Sequence, residues 1–131
     1  MRYFAFLSFF CFPVSITYAQ IPVEKDPFHK IVFENESVRV LDLSVGKNDT
    51  TTDHIHSAAS VVVFVTESSL AIQAPGTEPV ITKVEPGEVI YRAYDETPVT
   101  HKVWSDDGSI MRCIVIELKK SSTNKNKSIK K

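Results

Sequence analysis

From Phe28 onward the chain is a succession of short runs rich in β-branched and aromatic residues, each closed by Gly, Pro, Asn or Asp, and no stretch sustains a helical period. That punctuation excludes a helical bundle and an alternating strand–helix fold, and makes the chain all-β. Strands are expected at His29–Glu34, Val38–Val45, Thr51–His56, Val61–Thr66, Leu70–Gln73, Val80–Val84, Val89–Tyr94, Thr100–Trp104 and Ile110–Leu118. Turn chemistry recurs about every ten residues, at Gly46-Lys47-Asn48-Asp49, Ala74-Pro75-Gly76, Glu85-Pro86-Gly87 and Asp106-Asp107-Gly108. The runs VVVFV and IMRCIVIEL are apolar at successive positions, so both faces of those strands call for cover, between two sheets or inside a closed barrel. A sandwich or jelly roll is the architecture such strands predict. The segment Gln20 to Pro27, with two prolines and mixed charges, reads as an extended lead-in packed along an edge strand.

The 131 residues suffice for a single domain, of roughly 100 to 110 residues once the N-terminus is set aside. Residues 1–19 carry Arg2, an apolar run from Tyr3 to Phe12, Pro13, and small residues before a cleavage point after Ala19. This is the pattern of a secretory signal, and the run is too short for a stable membrane span. Export to the periplasm or the medium is therefore expected, with no stable membrane insertion after cleavage. Cleavage removes Cys11 and leaves Cys113 without a disulfide partner, inside an apolar run where a cysteine packs rather than reacts.

A formal charge of −1 conceals an asymmetry. Residues 20–118 hold eight Lys or Arg against sixteen Asp or Glu, while Lys119 to Lys131 holds six lysines and no acid. The acidic body, residues 20–118, excludes nucleic acid as a partner, because phosphate binding needs clustered cations on the folded surface. The lysine-rich end, residues 119–131, reads as a solvated, disordered tail.

His54-Ile55-His56 lies in an expected strand. Alternation sends both imidazoles to one face, a little under ~7 Å apart along the strand, so that two ring nitrogens can converge on one cation. His101, in Thr100-His101-Lys102-Val103-Trp104, lies on a later strand and is the candidate third ligand. Three histidines suit a divalent metal ion, Fe, Zn, Cu or Ni, and leave coordination positions open. Imidazoles that only satisfy one another by hydrogen bonds are the alternative.

The order Gly46…His54-Ile55-His56…Val61-Val62-Val63-Phe64-Val65, then Glu85-Pro86-Gly87-Glu88-Val89, then His101-Lys102-Val103, resembles the two motifs of the cupin superfamily over Phe28 to Lys119. The stretch Val32 to Val40 resembles the leading strand pair of small single-domain, RmlC-like cupins. The resemblance implies a jelly-roll β-barrel with inward histidines. The chain departs from the pattern twice. At the position of the family's metal-binding glutamate stands Ser60 or Val61, which reduces the implied ligand set to His54, His56 and His101. The spacing from Gly87 to His101 is also longer than the motif's, which lengthens the Tyr91 to Val99 connection.

A substitute fourth ligand is sought at Gln73 or Glu117, with Gln73 preferred, and Arg92 is a candidate for holding a substrate carboxylate. No carboxylate is placed as a general base, which favours a metal-dependent oxygenase-type enzyme on a small organic substrate over a hydrolase or isomerase. The alternatives are a non-catalytic barrel that binds a metal or small ligand, and a metal-free structural barrel. Exposed strand edges leave room for a homodimer.

Overall fold

The turns expected from sequence are formed in the computed structural model, which describes residues 20–93 and 98–120. Thr77 N–H donates to the Ala74 carbonyl and Glu88 N–H to the Glu85 carbonyl. Gly87 closes its turn at a φ of 85°, a region that an L side chain adopts only at a cost. A Cβ added there meets nothing within 4 Å. Gly87→Ala is therefore expected to lose only the backbone cost of about 1 kcal/mol, read as a lower urea midpoint at unchanged slope.

Between these turns run β1 (Ile21–Pro22), a 3-10 turn (Val23–Lys25), β2 (His29–Glu34), β3 (Val38–Val45), β4 (His54–His56), β5 (Ala59–Phe64), β6 (Ser68–Gln73), β7 (Val80–Val84), β8 (Val89–Arg92), β9 (Val99–Ser105) and β10 (Met111–Leu118). Each expected strand has a counterpart, and the lead-in adds β1, paired in parallel with β4. The strand expected from Thr51 begins only at His54. Thr51 to Asp53 are tied to neighbours outside a strand: Thr51 N–H donates to the Val103 carbonyl and its hydroxyl accepts from Val103 N–H, Thr52 donates to Asp26, and the Asp53 carbonyl accepts from Ile21 N–H. Tyr94, the expected signal segment 1–19 and residues 121–131 of the expected tail lie outside the described residues. Among the described residues no helix is long and apolar enough to cross a membrane. Lys119, assigned to the tail by its sequence, is held by the domain: its N–H donates to Ser37 and its ammonium to Glu34 and the Asn35 carbonyl.

The strands form two five-stranded sheets, in the orders β1-β4-β9-β6-β7 and β2-β3-β10-β5-β8. The expected jelly roll is realised as this pair of sheets. Among the described residues no ladder joins one sheet to the other, so the barrel is not closed by hydrogen bonds. A shared core that includes Leu41, Leu43, Phe64, Leu70, Val103 and Val115 draws on both sheets.

The two-faced apolar runs have an explanation different from burial on both sides. On β10 the residues Met111, Cys113, Val115 and Glu117 are buried, while Ile114 and Ile116 are half-buried. The register aligns Phe33, Val40, Ile116, Val61 and Tyr91 across the second sheet. Cross-strand neighbours shield the middle of this outer row, while Phe33 and Tyr91 at its ends stay exposed.

Candidate metal centre

Strand pairing brings the separated histidines together. β4 runs antiparallel to β9 with His54 directly opposite His101, and the H-x-H alternation keeps His56 on the same face. All are buried, His54 completely. The His101 ring centroid lies 4.8 Å from that of His54 and 5.2 Å from that of His56. The structure adds a histidine that the sequence reading left unassigned. His29, at the start of β2, has its ring centroid 4.6 Å from His54 and 5.9 Å from His56. One ligand atom each of His29, His54 and His56 lie within 4.8 Å of one another, so these three buried histidines can hold a metal ion.

The hydrogen bonds behind the rings settle their tautomers. His54 Nδ1 is 2.9 Å from the Thr52 carbonyl, which can only accept, so Nδ1 carries the proton and Nε2 presents a bare lone pair. That Nε2 is buried and has no hydrogen-bond partner among the described residues. His29 Nδ1 is 2.6 Å from a carboxylate oxygen of Asp26, and His56 Nδ1 is 3.4 Å from Glu117 Oε1. An ionised carboxylate is an acceptor, so these rings also donate from Nδ1 and keep Nε2 as the acceptor. Imidazoles oriented by a carboxylate or carbonyl on the far nitrogen are the arrangement that metal-binding histidines use.

Burial also disfavours the charged form of His29, His54 and His101, and metal ligation requires the neutral ring. Desolvation pushes the His54 pKa down to about 4, with the neighbouring His29 adding to the effect. It pushes His101 down to about 2, where His54, His56 and Arg92 oppose a further positive charge. His29 is also lowered by burial, against the pull of Asp26. The donor set therefore fits a divalent ion: buried imidazoles, three of them oriented from behind, with one orphaned nitrogen.

The histidines form part of the lining of a cavity of about 70 Å³, whose other walls are mainly apolar, among them Leu43, Val62, Phe64, Ile72 and Ile90. Arg92 is on this lining, on β8 opposite Ser60. Gln73 is not. It pairs with Lys102, whose neighbours His101 and Val103 line the cavity, so alternation turns Gln73 to the other face. Its side-chain amide donates to the Thr77 carbonyl in the β6–β7 turn. Glu117, the other candidate, is not on this lining either: it is buried behind His56, with Oε1 at His56 Nδ1 and Oε2 accepting from Arg39. Ser60, not Val61, takes the inward position where the resemblance implies a glutamate. It is opposite Glu117, and its hydroxyl is buried without a partner among the described residues. Cys113 is buried on the lining with its thiol pushed up to about 12, a packing residue as expected.

Asp26 is the residue that sequence reasoning missed most completely. It is 2% exposed and accepts from His29, from Thr52 N–H and from the Thr52 hydroxyl. Its signal was the spacing Asp26-Pro27-Phe28-His29, short enough for a turn to bring carboxylate to imidazole.

No protein-family model and no curated protein matches the chain. Solved structures do. The chain is similar to a cupin domain from Bordetella pertussis Tohama I, with a TM-score of 0.63 at 25% identity over 70% of this chain and 92% of that one. It is similar in fold to an RmlC-like cupin family protein with a double-stranded β-helix from Methanocaldococcus jannaschii, with a TM-score of 0.53 at 12% identity over 72% and 81% of the two chains. It is similar in fold to the polyketide cyclase RemF from Streptomyces resistomycificus, with a TM-score of 0.54 at 16% identity over 84% and 77%.

Proposed function

From the premise that this chain is a member of the cupin superfamily, we propose that it is a metal-dependent protein acting on a small organic acid in its interior, with His54, His56 and His101 among the ligands. The orphaned His54 Nε2 carries the reading. A buried nitrogen lone pair with no partner costs about 1–3 kcal/mol, and a cation at that point relieves the cost. When bound, a divalent Fe, Zn, Cu or Ni ion supplies a Lewis-acid or oxygen-activating centre.

The protein's own groups narrow the chemistry. A space of about 70 Å³ is far below the pockets that hold drug-sized ligands, so the substrate is a molecule of few heavy atoms. The mainly apolar walls exclude water and favour a hydrocarbon body, while Arg92 supplies a positive charge for a carboxylate. Among the described residues no Asp or Glu lines the cavity. No carboxylate base therefore stands among the described lining residues, which favours an oxygenase-type reaction over hydrolysis. The same features support, as the second reading, a barrel that binds the acid or the metal without turnover.

A panel of small carboxylic acids offered to the iron-loaded protein in an oxygen electrode separates the two. Acid-dependent oxygen uptake that falls at least about tenfold in Arg92→Leu supports the enzyme. Thermal stabilisation by an acid without uptake supports the binding module. Neither response with any acid would remove the organic-acid assignment. We also propose export directed by residues 1–19, which is checked by a mature N-terminus at Gln20 in the exported fraction.

A further inference from the structure

We infer that His29, which lies on β2 outside both cupin-like motifs, is a fourth nitrogen ligand of the metal and that Asp26 is its positioning residue. The inference rests on the reading that the cavity holds a metal. His29 occupies an inward position in register with Leu43, where an aliphatic side chain would pack without needing any polar partner. Instead the site buries an imidazole and a carboxylate together. As a device for stability alone this is a poor choice, because both groups lose their hydration. As a device for ligation it is coherent, because Asp26 holds the His29 Nδ1 proton and leaves Nε2 as the atom available to the cavity.

Asp26 also accepts from the backbone and hydroxyl of Thr52, whose carbonyl in turn orients His54. One carboxylate thus ties the leading strand to the H-x-H strand and sets the spacing of two ligands. The inward Ser60 leaves no carboxylate at the motif's glutamate position, and His29 brings a nitrogen to the same group of rings from another strand. The resulting set is four neutral imidazoles. It favours Cu, Ni, Zn or Fe and selects against Mn and Mg, which prefer oxygen ligands.

His29→Asn is the informative variant, since its amide nitrogen sits near the position of Nδ1 and can still donate to Asp26, while nothing remains at Nε2. The metal-free variant is expected to melt close to the wild type. Its affinity for Zn, measured by competition with a chromophoric chelator, should fall at least about tenfold. X-ray absorption of the Cu-loaded proteins should count four imidazoles in the wild type and three in the variant. Asp26→Asn should lower affinity roughly 10- to 100-fold while keeping four imidazoles. A wild-type count of four assigns His29 even if His29→Asn does not fold, since the chain has four histidines. Three imidazoles in the wild type overturn the four-imidazole set, and unchanged Zn affinity in His29→Asn overturns the role of His29; either leaves the metal site standing. A wild-type chain that takes up no metal overturns both.

Discussion

The double variant His54→Ala/His56→Ala is expected to carry no divalent metal, whereas the wild-type chain, purified without a histidine tag, carries about one ion per molecule. The two imidazoles share one strand face and stand among the other two rings, so their removal takes away half of the nitrogen donors at once. The loss is also visible in stability. Metal that binds only the folded chain at a thousandfold above its Kd contributes about 4 kcal/mol. For a domain of roughly 100 residues, stripping it with a chelator should lower the Tm by about 15 °C or more. The double variant should show no such response. Elemental analysis beside two melting curves makes the check, and a wild-type Tm indifferent to chelator, with no metal in either protein, would leave a metal-free ligand-binding barrel.

The metal-free protein is expected to lose stability steeply as the pH falls below about 6.5. The ordinary imidazole value is 6.5, and burial lowers His54 to about 4 and His101 to about 2. Between 6.5 and 4 the unfolded chain binds protons that the folded chain refuses, so acid favours unfolding. For His54 alone the loss is about 3 kcal/mol once the pH reaches 4. His101 continues the decline to lower pH, and the effect is absent above pH 7. The groups that face these rings include His29, His56 and Arg92, which oppose protonation, and Asp26 and Glu117 behind the rings, which limit the loss. Urea midpoints at pH 7, 5.5 and 4.5 make the measurement; a flat profile would show the rings to be hydrated. The same burial means that protons compete for these nitrogens later than for ordinary imidazoles. Release of metal belongs below the pH of about 6 that three ordinary histidines imply.

The features legible in the sequence were those set by local geometry. Period-two alternation placed His54 and His56 on one face, and the turn residues placed the strand ends, because each depends only on a few neighbouring dihedrals. The motif order pointed to His101 as a third candidate, while its place directly opposite His54 came from the β4–β9 register. The places of Gln73 and Glu117 were not legible for a specific reason. The run Ile110 to Leu118 is apolar at inward and outward positions alike, so its pattern does not reveal which parity faces the core; the pairing of β10 with β3 and β5 does.

What the sequence by itself determined is therefore an all-β chain with an H-x-H strand and a distant third histidine, since residue type and spacing suffice for those. Only the tertiary structure decided that the strands form two sheets, that Gln73 turns away, that Glu117 backs His56 and that Asp26 and His29 join the site. Those outcomes depend on register between strands far apart in the chain, where a shift of one residue exchanges every inward side chain for an outward one.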